Sequence, residues 1–223
     1  MRIGFNLIGQ NIVFGNLVKG NEADFPTNRL VAAYLSGKAL EGSDTWIKSE
    51  ELGKTLAKEN IGVTMGAGER GGMGGIAKGI REAGGYVVGI TTDVLKKFEG
   101  VSPYLNELHI EEHDNEMHAR MVKYDLRSRP DVVIAAPGGQ GTLDEIVKKW
   151  CKFELKAMTT NDATPKEKII LYGKDYWQGF LNWLKGPVKD AGNISERRLG
   201  YFELADTPQE VVKIIKRVMS TVR

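Results

Sequence analysis

Residues 131–145 read Asp131-Val132-Val133-Ile134-Ala135-Ala136-Pro137-Gly138-Gly139-Gln140-Gly141-Thr142-Leu143-Asp144-Glu145. An apolar run of strand length passes directly into a glycine turn and then into a segment of helical spacing. Strand, glycine loop and helix in that order are the repeating unit of a parallel sheet covered on both faces. The same order predicts an anion site. Glycines let the chain turn tightly and present its N–H groups, the helix dipole adds partial positive charge, and Thr142 supplies a hydroxyl. Gly138, Gly139, Gly141 and Thr142 are therefore the expected phosphate-binding set. Glu145 falls one turn beyond Gly141 and Thr142 on the same helical face. A bound phosphate would repel a carboxylate there unless it addressed another part of the ligand, so Glu145 points to chemistry as well as binding.

Outward from this unit the rhythm repeats. Apolar runs at 30–35, 61–65, 86–91, 132–136 and 169–172 predict strands, with a last strand near 200–204. Helical spacing fills 44–59, 71–84, 114–128, 141–158, 175–190 and 208–221. The final helix is announced by Thr207-Pro208-Gln209-Glu210, a capping residue followed by a proline at the first helical position. The expected fold is α/β and Rossmann-like, a doubly wound, mainly parallel sheet with helices on both faces. Residues 1–28 break the pattern. Alternating Ile3, Phe5 and Leu7, a turn at Gly9-Gln10-Asn11 and then Ile12, Val13 and Phe14 predict a small hairpin or an added edge strand. The expected organisation is an N-terminal extension over 1–28 and one nucleotide-binding catalytic domain over 29–223.

Composition narrows the classes. Among 223 residues, 31 Lys and Arg against 29 Asp and Glu leave a net charge of +2, too balanced for the phosphate attraction on which nucleic-acid binding relies. Cys151 is the single cysteine, which excludes an intrachain disulfide and a cysteine-rich zinc site. Its place in a predicted amphipathic helix suggests a small buried hydrophobe. No apolar stretch approaches membrane-spanning length and the N-terminus lacks a signal-peptide core, so the expectation is a cytoplasmic protein with no membrane partner.

Other motifs compete. Gly66-Ala67-Gly68-Glu69-Arg70-Gly71 matches G-x-G-x-x-G, follows a predicted strand and is trailed by Asp93, which fits an NAD(P)-binding oxidoreductase. Against this, glycines continue through Gly71-Gly72-Met73-Gly74-Gly75, reading as a longer flexible loop than that fingerprint needs. His109-Ile110-Glu111-Glu112-His113 has a zinc-peptidase spacing, with His118 nearby. Residues 105–110 read as a short strand or loop after Pro103, and Asp114 reads as a helix cap, so the histidines would not share a helical face. No metal site is expected. Gly53-Lys54-Thr55 resembles the end of a P-loop, but Lys48 stands where the first glycine is required. Glu116, Arg120 and Lys123 lie at helical spacing just before the strand that feeds the 137–145 loop. Arg120 is placed to clamp a phosphate, ribose or carboxylate there.

Three pieces, Pro137 to Glu145, Glu116-Met117-His118-Ala119-Arg120 and the glycine segment 66–75, together resemble the LOG family, long described as "possible lysine decarboxylase". The first matches the family pattern P-G-G-x-G-T-x-x-E without a substitution. The likeness covers about residues 29–219, and 176–195 also resembles the family's C-terminal part. It implies a phosphoribohydrolase that cleaves cytokinin riboside 5′-monophosphates or other nucleoside 5′-monophosphates into free base and ribose 5-phosphate. On the matching positions it implies Glu145 and Arg120 as catalytic. Gly138, Gly139, Gly141, Thr142, Gly66, Gly68, Met117 and Ser36 would bind the nucleotide, with Gly66 and Gly68 admitting the sugar or base closely. The family also implies a homodimer or larger assembly with the site near a subunit boundary, and no cofactor. Two departures stand out: Gly66-Ala67-Gly68 replaces three successive glycines, and Met121 replaces the lysine that often follows the arginine. Lysine decarboxylation would require pyridoxal phosphate on a Schiff-base lysine, and no lysine lies in the matched loops. A non-catalytic nucleotide or molybdenum-cofactor carrier is the alternative, because Rossmann-like relatives of the family include such a carrier.

Overall fold

The computed structural model describes residues 30–111, 132–160 and 166–221, together with two short strands, β1 (Asn6–Leu7) and β2 (Gln10–Asn11). Seven further strands form one parallel sheet: β3 (Leu30–Tyr34), β4 (Gly62–Gly66), β5 (Val87–Thr92), β6 (Glu107–Glu111), β7 (Val132–Ala135), β8 (Lys168–Tyr172) and β9 (Phe202–Ala205). Their spatial order is β6-β5-β4-β3-β7-β8-β9, every neighbour parallel. The helices are α1 (Asp44–Lys58), α2 (Gly71–Glu82), α3 (Asp93–Glu99), α4 (Gln140–Thr160), α5 (Lys174–Trp183), the short α6 (Glu196–Leu199) and α7 (Pro208–Thr221), with a π-turn over Leu184–Val188 after α5. This is the doubly wound sheet that the alternation of segments predicts.

Strand side chains alternate between two cores. Val31, Ala33, Ile134, Ile170 and Tyr172 pack with α1, α2 and α7, whereas Leu30, Ala32, Tyr34, Val133, Ile169 and Leu171 pack with α4 and α5. Both faces are therefore dry, which is why these strands read as unbroken apolar runs and not as alternation. Tyr172 shows the effect on a polar tip: burial, helped by nearby acids, pushes its hydroxyl up to about 12. Among the described residues no helix is long and apolar enough to cross a membrane.

Four sequence expectations change. Cys151, expected as a small buried hydrophobe, is exposed, because it falls on the side of α4 that also exposes Val147 and Leu155. Gln10 and Asn11 are strand, pairing Leu7↔Gln10 and Asn6↔Asn11, where a turn was expected. Gly71 to Gly75 are the first turn of α2 and not a flexible loop. A methyl on Gly75 would stand 2.4 Å from Trp46 O, and one on Gly79 2.0 Å from Glu50 O, so these glycines bring the α1 and α2 backbones together. Asp93 opens α3, with Thr92 Oγ accepting from Leu95 N–H at 3.1 Å, and that short helix and α6 carry too few apolar repeats to be seen in the sequence.

Candidate functional site

The strand order reverses at β3, which continues to β4 on one side and borders β7 on the other. Ligands of doubly wound sheets bind at the carboxyl ends of the strands at such a point. Three loops meet there. Ala136 N–H donates to Tyr34 O at 3.0 Å, tying the exit of β7 to that of β3. Gly71 N–H donates to Ala39 O at 2.7 Å, and Ser36 O accepts from Gly72 N–H at 2.8 Å and Met73 N–H at 3.4 Å. The loop after β3 thus caps α2.

Of the helix N-termini at this end of the sheet, those of α2 and α4 carry the glycine motifs that the sequence singles out, and they differ in what their amides do. The first amides of α2 are engaged, that of Gly71 by Ala39 and those of Gly72 and Met73 by Ser36. In α4 the first backbone bond runs from Leu143 N–H to Gly139 O at 3.1 Å, and no acceptor among the described residues takes the amides of Gly139, Gln140, Gly141 or Thr142. Thr142 is buried, its side chain folded against Gly138 so closely that a methyl on Gly138 would lie 2.1 Å from Thr142 Oγ1. Glu145 is half-buried one turn further along α4. The helix itself is held at mid-length by Glu154, which accepts from Arg197, Arg198 and the Tyr201 hydroxyl.

The remaining expected residues fall as follows. Ser36 lies at the switch point, half-buried, with its Oγ accepting from Lys38 N–H at 3.2 Å. Gly66 and Gly68 end β4 and its loop, but a methyl on Gly66 would meet Met73 Sδ at 2.8 Å and one on Gly68 would meet Met73 Cε at 2.6 Å. A ligand approaching from that side meets the Met73 thioether before the glycine backbone. Arg120 and Met117, with the whole predicted helix 114–128, lie outside the described residues.

His109 is buried on β6, with its Nε2 3.1 Å from Glu107 Oε2, and Tyr86 also donates its hydroxyl to Glu107. Burial alone would raise the Glu107 carboxyl, but these two hydrogen bonds and the histidine's charge outweigh it and hold it below the usual range. Among the described residues no three His, Cys, Asp or Glu side chains cluster as metal ligands. The other two histidines lie outside those residues.

Two side chains join the site from parts of the sequence not assigned to it. Glu99, the last residue of α3, is half-buried, and methyls on Gly68 and Gly37 would lie 3.6 Å and 3.9 Å from its carboxylate oxygens. Tyr176, in the first turn of α5, donates its hydroxyl to Gly138 O at 2.5 Å. No local pattern marks either one, because loops distant in sequence create both environments.

The family model described as "Possible lysine decarboxylase" matches residues 73–215. The loops leaving β4 and β7 carry no lysine of the kind that description would demand. A "Probable cytokinin riboside 5'-monophosphate phosphoribohydrolase" of Oryza sativa subsp. japonica is 33% identical over 181 residues, covering 80% of this chain and 73% of the relative. A cytokinin riboside 5'-monophosphate phosphoribohydrolase of Arabidopsis thaliana is 25% identical, covering 88% of this chain and 86% of the relative. Among solved structures, the molybdenum cofactor binding protein of the phototrophic bacterium Rippkaea orientalis superposes with a TM-score of 0.58 at 20% identity, covering 86% of this chain and 97% of that one. At that identity the likeness shows the fold alone. With the family model spanning most of the chain, and with similarity to cytokinin riboside monophosphate phosphoribohydrolases over most of its length, this chain belongs to the LOG family, to which the "possible lysine decarboxylase" description is attached.

Proposed function

We propose that the chain is a nucleoside 5′-monophosphate phosphoribohydrolase, acting on cytokinin riboside monophosphates or AMP. The carrying observation is the contrast between the α2 and α4 N-termini: among the described residues the first amides of α2 are taken by backbone carbonyls and those of α4 by none, and α4 carries a carboxylate one turn beyond them. The 5′-phosphate docks on the amides of Gly138, Gly139 and Gly141 and on Thr142, which fixes the ribose over the first turn of α4. As the C1′–N bond lengthens, positive charge develops on the ribose, and Glu145 stabilises it and aligns the attacking water. Water oxygen bonds to C1′, the base leaves with the bonding pair and takes up a proton, and ribose 5-phosphate remains. Arg120, on its matching motif position, orients Glu145 and the ligand. The names of the relatives support this substrate class, and none of these steps calls on a metal or organic cofactor.

The experiment is incubation with a panel of nucleoside monophosphates, followed by chromatography for free base and ribose 5-phosphate. Products are expected from at least one member. Glu145→Gln is expected to cut turnover by roughly a hundredfold or more while keeping the thermal shift produced by the monophosphate. Binding without products from any member would instead support a carrier, and unchanged turnover in Glu145→Gln would remove that residue from the mechanism.

The working form is a homodimer, joined through α4. Leu143, Val147, Leu155 and Met158 are 40%, 45%, 62% and 69% exposed, and with exposed Cys151 they form one ridge along that helix. Their spacing about Cys151 is nearly symmetric, at −8, −4, +4 and +7 residues. A second copy related by a two-fold axis through Cys151 therefore sets Val147 against Leu155 and Leu143 against Met158, a self-complementary contact. The four side chains expose roughly 400 Å² of largely apolar surface, the size of the largest contiguous patch on an ordinary soluble protein, which is often an interaction site. Pairing hides roughly 800 Å² before any rim contact, about two thirds of the smallest specific interfaces.

A further inference from the structure

Tyr176 lies 38 residues from the carbonyl it holds, on a helix that starts where β8 ends. The start of that helix is closely determined. Gly173 sits at φ +96°, a left-handed conformation that favours glycine; its N–H donates to Ala205 O at 2.7 Å, and Lys174 N–H donates to Asp206 Oδ1 at 2.7 Å. A methyl on Gly173 would lie 3.4 Å from Pro137 Cγ, so the loop after β8 rests against the loop after β7. The Tyr176 ring packs edge-on against buried Trp177, with centroids 5.0 Å apart. Its hydroxyl is thereby delivered to Gly138 O at 2.5 Å.

Gly138 O is the acceptor that Thr142 N–H would take if α4 wound one residue further back, since an α-helical amide bonds to the carbonyl four residues earlier. That bond is absent, and the helix begins instead with Leu143 N–H on Gly139 O. We propose that Tyr176 is a positioning residue: by holding the Gly138 carbonyl it stops α4 from winding over its own anion loop and keeps the Thr142 amide open for the phosphate. A trans peptide points its C=O and the following N–H in opposite directions, so the same contact sets the direction of Gly139 N–H. One hydroxyl thus orients two of the loop's donors. This inference rests on the reading of 137–145 as the phosphate site and adds the device that keeps that site competent.

The test is Tyr176→Phe, which removes only the hydroxyl of a side chain that is 53% exposed and so empties no core. Amide hydrogen exchange followed by NMR reads Thr142 directly. Exchange at Thr142 is expected to slow by roughly tenfold or more in the variant, as the freed carbonyl pairs with that amide. Affinity for inorganic phosphate and for ribose 5-phosphate, by calorimetric titration, is expected to fall roughly tenfold, the scale of one hydrogen bond to a charged group. With AMP, KM rises while kcat changes by less than about threefold, the pattern of lost uniform binding. Wild-type exchange at Thr142, or wild-type phosphate affinity, would overturn the assignment. The exchange measurement needs no catalysis, so slowed exchange in a chain that releases no base upholds the role of Tyr176 and refutes the hydrolase. Unchanged exchange in an active hydrolase does the reverse.

Discussion

At Glu99, burial pushes the carboxyl above its ordinary range, beside the bare backbones of Gly37 and Gly68. An acid whose folded-state pKa exceeds its unfolded value binds more protons in the folded chain between the two values. Its contribution to stability is then present below that window and is lost as pH rises through it. Ionised Glu99 therefore weakens the fold at neutral pH. Glu99→Gln is expected to raise the urea midpoint at about pH 7 and to lose that advantage at about pH 4, near the ordinary glutamate range. A gain of equal size at both pH values would refute burial as the cause. Glu99 and Tyr176 could not be singled out in the sequence for one reason: each acquires its meaning from backbone that folds against it from another loop. Glu145 and Thr142 could be, because the loop and helix that orient them are continuous with them.

Among the elements, α1 and α2 show what the glycine run 71–79 is for. Methyls on Gly75, Gly79 and Gly53 would stand 2.4, 2.0 and 2.4 Å from backbone oxygens of the facing helix, closer than any real contact. Backbone cannot yield as a flexible side chain does. Gly79→Ala is therefore expected to destabilise the fold by about 1–3 kcal/mol despite alanine's better helix propensity, as measured by chemical denaturation. A neutral or stabilised variant would mean that the helices separate freely. The same composition thus serves two ends: in α2 glycines admit a neighbouring helix, and at α4 they leave amides uncovered. Glycine count and spacing alone do not distinguish these uses, which is why residues 71–75 read as a loop.

For the whole molecule, the α4 ridge makes a prediction about assembly that is independent of catalysis. Sedimentation at about 10 µM is expected to give a dimer, and Leu155→Asp a folded monomer, because a charge buried without a partner costs more than such an interface supplies. Mild oxidation is expected to link the two copies of Cys151, which requires their Cα atoms to come within roughly 7 Å. A monomeric wild type, or a dimer indifferent to Leu155→Asp, would refute this surface. By itself the sequence determined the alternation of buried strand and covering helix, the glycine turn at 137–141 that opens α4 and the place of Glu145 one turn along it, because hydrophobic periodicity, glycine turns and helical spacing act over a few neighbouring residues. Only the tertiary structure decided how the glycine-rich starts of α2 and α4 differ, because the acceptors that close α2 come from Ser36 and Ala39 and the hydroxyl at the α4 loop comes from Tyr176. Hydrogen bonds between segments far apart in the chain exist only once the sheet has brought those loops to one edge.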